Sequence, residues 1–232
     1  MQRRFAFLEQ PLRSHRRSPT RIWFQIGANI RFPTSCKPDS LWINYGHHVP
    51  TNSQSMTKLI ALLRGINVIG NNKLPMTELA ALLAGMGLRD VQTYIQSGNA
   101  VFSCSLKNKA TLAAKITAAI KAQHGFAPHV LLLDAAELKQ AMAGNPYPDA
   151  VAVPKSLHLF FLDEVPQHPD LKSLEAIKAG GEQFKLAGKV FYLHTPDCFG
   201  PSKLAARVEK SLGVAATARN WNTVCKLAEM VA

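Results

Sequence analysis

The stretch TKLIALLRGINVIGNNKLPMTELAALLAGMG, residues 57–87, changes hydrophobic period twice and so decides the fold. Thr57 to Arg64 is a short, largely apolar run of strand length, and a polar loop rich in Gly and Asn follows it. Beyond the loop, Leu79, Leu82, Leu83 and Met86 recur with i, i+3, i+4, i+7 spacing, the pattern of a helix with one apolar face. Pro75 begins that helix in the first-turn position, where its missing N–H costs nothing, and Gly87 stands where a C-terminal cap would go. A strand, a long loop and an amphipathic helix in this order lay the helix on a sheet.

Working outward, QTYIQ, the turn SGN and AVFSC read as a hairpin, because Gly and Asn accept the positive φ of a tight turn. A second helix is predicted over Asn108–Gln123, with Leu112, Ile116 and Ile120 inward, and HVLLLD supplies a fourth strand. After a helix at Ala135–Ala143 and the Pro-rich link NPYPDAVAVP, the order runs again. LHLFFLD is a strand, HPDLKSLEAI a helix and EQFKLAGKVFYLHT a hairpin about Ala187–Gly188; SKLAARVEKSLGV is a helix, AATAR a strand and NWNTVCKLAEMV a terminal helix. The fold class is α+β: two ferredoxin-like split β-α-β units with mainly antiparallel sheets, plus connecting and C-terminal helices. The expected division is a first half at 56–145, a linker at 146–156 and a second half at 157–232 with its terminal helix. The repeat lies in element order, since the halves share little residue identity.

Residues 1–55 hold eight Lys/Arg, seven of them Arg, against Glu9 and Asp39, which is half of the net charge of +12. No apolar period in them is long enough to join a core, so a disordered extension is expected. Met56 opens abruptly on a strand, which points to an upstream start codon chosen in error; Arg-rich, acid-poor composition also suits an organelle transit peptide. The remaining chain carries 19 basic and 13 acidic side chains, a mild basicity that supports anion binding only weakly. Its apolar runs, such as Leu59–Leu63 and Val130–Leu133, are far below the roughly 20 residues of a membrane span, and no membrane partner is expected. Cys36, Cys104, Cys198 and Cys225 lack any paired spacing, which gives no zinc site or disulfide framework and makes a reducing cytosol the default location.

The richest polar segment is RGINVIGNNK, Arg64–Lys73. Glycines let backbone N–H groups approach an anion closely, and Arg64 or Lys73 supplies full charge. Gly65 and Gly70 have phosphate-loop spacing, but Asn71–Asn72 replace the Lys-Ser/Thr pair that holds phosphate and magnesium, which disfavours a nucleotide triphosphatase. The same asparagines also read as loop formers. In a split β-α-β unit the first two strands run parallel, so Arg64–Lys73 should lie near the hairpin turn Ser97, Gly98, Asn99. Ser97 has no nearby histidine or carboxylate to activate it as a nucleophile. Ser202 in GPSK is an expected helix N-cap, and Lys203 beside it is a second candidate anion ligand. In RNWNTVCKL, Asn220 or Asn222 caps the last helix, Trp221 packs, and Arg219 is a candidate ligand residue. Alternation puts His158 and Phe160 on one strand face and Tyr192 and His194 on one face of a neighbour, either a base-stacking sheet or a face buried between the halves.

Together RGINVIGNNKLPM, TYIQSGNAVF and RNWNTVCKL resemble the bacterial family catalogued as domain of unknown function 1697, over about Thr57 to Val231. The resemblance implies a cytoplasmic α+β protein of ferredoxin-like units with no established reaction. Its motifs map onto Arg64, Gly65, Asn67, Asn72, Lys73, Ser97, Gly98, Asn99, Ser202, Lys203, Arg219, Asn220, Trp221 and Asn222. DCFG ahead of Ser202 is a looser match, and the 55-residue extension departs from the family pattern. Three functional readings stay open. One is a binding protein for a small anionic or phosphorylated ligand at Arg64, Asn67, Asn72 and Lys73 with Ser97 and Asn99 nearby. Another is a single-stranded RNA-binding module. The third is an enzyme of unassigned class, which lacks a general base within either loop. No cofactor or metal is called for by the sequence.

Overall fold

The computed structural model describes residues 56–68, 70–106 and 108–232. The expectations for residues 1–55, including Cys36, lie outside these. The first unit runs β1 (Thr57–Arg64), α1 (Met76–Gly85), β2 (Arg89–Tyr94), β3 (Asn99–Cys104), α2 (Lys109–His124) and β4 (His129–Asp134). A linking helix, α3 (Ala135–Ala143), and a short 3-10 helix at Pro148–Ala152 follow. The second unit repeats the order as β5 (Leu157–Leu162), α4 (Leu171–Ile177), β6 (Gln183–Ala187), β7 (Val190–His194), α5 (Lys203–Leu212) and β8 (Ala216–Asn220), before α6 (Trp221–Val231).

Each unit forms a four-stranded antiparallel sheet, ordered β2-β3-β1-β4 and β6-β7-β5-β8. That order follows from two β-α-β crossovers folded onto a central hairpin pair, which is the ferredoxin-like arrangement. Period-two alternation in β1 divides its side chains between two cores. Leu59, Ala61 and Leu63 meet Leu79 and Leu83 of α1 and Leu112, Ile116 and Ile120 of α2. Ile60 and Leu62 face the other way, into a central core shared with α3, α6 and the inner face of the second sheet, including Leu159, Phe161 and Tyr192. A third core lies beyond that sheet, where Phe160, Leu162, Phe191 and Leu193 pack on α4 and α5. The central core makes the two sheets one packed body, because neither inner face is covered without the other and the two helices between them.

The helix ends follow local chemistry. Asn108, Asp170, Ser202 and Asn220 each accept a backbone N–H three residues on as N-caps, and Asp134 with Glu137 forms a capping box on α3. Pro75 is the N-cap residue of α1 rather than its first helical residue; its carbonyl accepts from Glu78 and Leu79. Strand β2 starts at Arg89, earlier than alternation indicates, because a register shift between Arg89 and Gln92, with Asp90 at φ 53°, carries pairing past an irregular start. The second hairpin turns at Gly188–Lys189, one residue later than expected.

The proposed base-stacking face does not exist. Register sets Leu159 opposite Tyr192 and Phe160 opposite Phe191, so His158 and Phe160 point away from Tyr192. Tyr192 is buried in the central core and its hydroxyl donates to Ala141 O at 2.7 Å. His158 is buried on the opposite face, stacked on Phe199 at 3.7 Å between ring centroids. Of these, Tyr192 is packed in the central core between the halves, and His194 on the same strand face lies against Tyr147 at the edge of that core.

Candidate functional site

The C-terminal end of β1, its loop, the β2–β3 turn and strand β8 converge on one end of the first sheet. Leu63 N–H donates to Gly98 O at 2.8 Å, and Asn67 Nδ2 reaches Gln96 O at 2.9 Å, so the loop after β1 and the hairpin turn lie side by side. The two asparagines of the loop are committed to its shape. Asn67 also donates to Leu74 O at 2.9 Å and accepts from Leu74 N–H at 2.8 Å, while Asn72 Nδ2 donates to Gly65 O at 2.8 Å. Both have left-handed backbones, at φ 54° and 50°, the region that Asn tolerates best among non-glycine residues. With their amides bound internally, neither is free to hold an anion in the way the sequence pattern indicates.

Asn99 is likewise structural. It is fully buried, its Nδ2 donates to Tyr94 O and to Ser97 Oγ, both at 3.0 Å, and its Oδ1 accepts from Arg219 Nε. Arg219 therefore arrives from the second half to complete the turn of the first. Its Nη2 donates to Leu63 O at 2.8 Å, Ser97 O at 3.0 Å and Gly98 O at 3.2 Å, and its Nη1 to Ala218 O at 2.8 Å. The side chain is only 8% exposed and, among the described residues, has no carboxylate partner. Burial lowers its pKa to about 10, so the guanidinium is still charged at neutral pH. Gly98 gives the close approach that this junction needs: a Cβ there would stand 2.8 Å from both Ile66 Cδ1 and Leu63 Cβ.

Beside this junction is an open cleft of about 400 Å³. Arg64, Gly65, Ser97 and Arg219 line it, together with Thr217 of β8 and Glu209 of α5. Arg64 donates to Glu209, and both are partly exposed, so the pair is solvent-screened and weakly held. Thr217 is 1% exposed and its Oγ1 is buried without a hydrogen-bond partner. Such an unsatisfied hydroxyl costs about 1 to 3 kcal/mol.

The remaining candidates lie elsewhere. Lys73 is exposed outside the cleft. Ser202 caps α5 through Ala205 N–H at 3.0 Å, and with Lys203 it lines a separate cleft of about 390 Å³ that also holds Glu182 and Asp197. Asn220 is the cap of α6, accepting from Thr223 N–H at 3.0 Å, while Asn222 is exposed and Trp221 anchors the central core. Among the described residues no group of three His, Cys, Asp or Glu side chains is placed to hold a metal ion, and no helix is long and apolar enough to cross a membrane. Glu209 and Thr217 are site residues that sequence reasoning missed. No motif marks them, because they reach Arg64 only through packing of the two halves.

Residues 56–192 match the family described as Protein of unknown function (DUF1697). A comparison with solved structures finds a conserved bacterial protein, SP0830 from Streptococcus pneumoniae, with a TM-score of 0.53 and 25% identity, over 77% of this chain and 100% of that one. No curated protein matches the chain. The chain belongs to the DUF1697 family.

Proposed function

For this member of the DUF1697 family we propose a role in binding a small anionic ligand in the cleft between Arg64, Ser97 and strand β8. The observation that carries the reading is Arg219, a buried guanidinium with no acidic partner among the described residues, at the wall of an open cleft. A positive charge taken out of water and met by carbonyl dipoles rather than a countercharge raises the potential of the space beside it, and a low-dielectric wall strengthens the effect. Arg64 adds a second cation whose partner Glu209 competes with the ligand.

That competition gives a two-sided test by thermal shift on the full chain with inorganic phosphate, sugar phosphates and carboxylates. Arg64→Ala leaves Glu209 facing the anion and lowers the response, whereas Glu209→Gln releases Arg64 and raises it, each by about five-fold in affinity. An unchanged response in both variants rejects the cleft as the site.

A second reading, an enzyme, draws on Glu209, the carboxylate that neither loop contains in sequence but that borders the same cleft. Under it Glu209→Gln tightens binding and abolishes turnover of the bound anion; tighter binding with no turnover in either form leaves the binding reading alone.

A further inference from the structure

Away from the Arg64 cleft, we infer that the outer edge of β4 is a self-association surface, on which a second copy of this chain pairs its own β4 antiparallel across a two-fold axis. The inference uses no residue of the anion site and stands or falls separately from it.

The edge is open. Strand β4 ends its sheet, and Ala127 to Leu133 line, one after another, a cleft of about 710 Å³. Side chains alternate between the two faces of a strand, so a cleft bordered by every residue in turn runs along the strand's edge. Leu63 N–H donates to Gly98 O, which turns Leu63 toward β3 and Ile60 and Leu62 toward β4. Register then commits Leu131 and Leu133 to β1 and points the N–H and C=O of Val130 and Leu132 outward. The next outward groups on either side are closed by the chain itself. Thr117 Oγ1 donates to Pro128 O at 3.1 Å, and Asp134 N–H donates to Glu137 Oε2 at 2.9 Å. Between those stops, the outward groups of Val130 and Leu132 have no partner among the described residues. No proline or charge stands from Val130 to Leu133 to blunt the edge.

These groups match a copy of themselves. With the axis through Leu131, Val130 of one copy faces Leu132 of the second, and each outward N–H meets an outward C=O with none left over. The contacts of Thr117 with Pro128 and of Lys109 with Asp134 set α2 antiparallel to β4 and bring Ala113 and Ala114 level with Leu131. The axis therefore passes the smallest side chains of the α2 wall, where the two copies of that helix can pass at the roughly 8 to 10 Å of packed helices.

Charge favours a second copy over an unrelated strand. At one end of β4, Asp134 and Glu137 share Lys109, which leaves an excess of negative charge. At the other end His129 and Asp163 hold each other, while Lys189 reaches only the backbone Asp163 O and has no carboxylate partner among the described residues. Antiparallel pairing lays each end against the other, so Lys189 of either copy meets the Glu137 end of the second.

The test is sedimentation of the full chain, with amide hydrogen exchange followed by NMR. The chain should sediment as a dimer at about 100 µM. Ala114→Glu puts like charges at the axis on an exposed helical position that suits glutamate, and should give a monomer with the parent's melting temperature. The Val130 and Leu132 amides should be protected in the parent dimer and exchange freely in that monomer, whereas Leu131 and Leu133, bonded to β1, should not change. Lys189→Glu should weaken the dimer about ten-fold while Lys189→Arg holds it, which keeps the inference testable should the glutamate at 114 disturb folding. A monomeric parent at that concentration overturns the inference, including one that protects the same amides only when an extended peptide is added. A dimer whose Val130 and Leu132 amides exchange freely, or one that both charge variants leave intact, also overturns it.

Discussion

The two ferredoxin-like units share a strand order but not a construction at their equivalent sheet ends. In the first, the loop after β1 and the β2–β3 turn are bound together by Asn67, Asn72, Asn99 and the inserted Arg219, all through side-chain hydrogen bonds to backbone. In the second, the loop after β5 is held by plain local means: Asp163 N–H to Ala215 O, Asp170 capping α4, and Lys189 Nζ reaching Asp163 O at 2.8 Å. The β6–β7 turn stands clear, since a Cβ at Gly188 would meet nothing within 4 Å. Topology alone therefore does not make a site. The end that carries the candidate cleft is the one in which the halves exchange buried polar groups.

The largest expected effect tests that exchange. Arg219→Met leaves the Asn99 Oδ1 and the Leu63 and Ser97 carbonyls without their donor, and urea denaturation should show a loss of about 3 to 5 kcal/mol. At the second unit's end the halves meet through a partly exposed contact, Asp163 to His129 of β4 at 2.9 Å, and Asp163→Ala should cost about 1 kcal/mol or less. Equal losses would erase the contrast.

Acid should reverse the asymmetry. Burial lowers the pKa of His158 from 6.5 to about 4, so the folded second half holds it neutral while the unfolded chain takes up a proton. Its contribution is present above pH 6.5 and is lost as pH falls toward 4, by up to about 3 kcal/mol. Titrating stability against pH in the parent and in His158→Leu checks this; a slope in that window that the substitution leaves unchanged assigns the acid sensitivity to other groups.

Smaller effects sharpen the turn comparison. Gly98→Ala meets both a left-handed backbone at φ 79° and a Cβ clash at 2.8 Å, for a loss of about 2 to 3 kcal/mol. Gly188→Ala meets only the backbone, at φ 57°, for about 1 kcal/mol. Last, Ser202→Ala removes the α5 cap, again about 1 kcal/mol by thermal melting. It should leave the anion response of the Arg64 cleft unchanged, because Ser202 lines the other cleft.

Much of this is legible in the sequence. Strand β1, the inward faces of α1, α2 and α5, the cap at Ser202 and the repeated element order follow from local periodicity and turn chemistry, which act over a few residues. Candidate residues were only partly readable. Gly-Asn composition signals an anion loop and a strained loop alike, and the hydrogen bonds of Asn67 and Asn72 show the second use.

The sequence by itself determined which segments are strands and helices, because hydrophobic period is a property of neighbours along the chain. It also carried Arg64, Ser97 and Arg219 as polar residues in need of an explanation. Tertiary structure alone decided which of them meet. Asn99 and Arg219 are 120 residues apart and touch only because the central core draws the inner faces of both sheets onto α3 and α6. Glu209 and Thr217 join them by the same packing, and hydrophobic burial, which has no direction of its own, leaves no mark in the sequence of the partners it brings together.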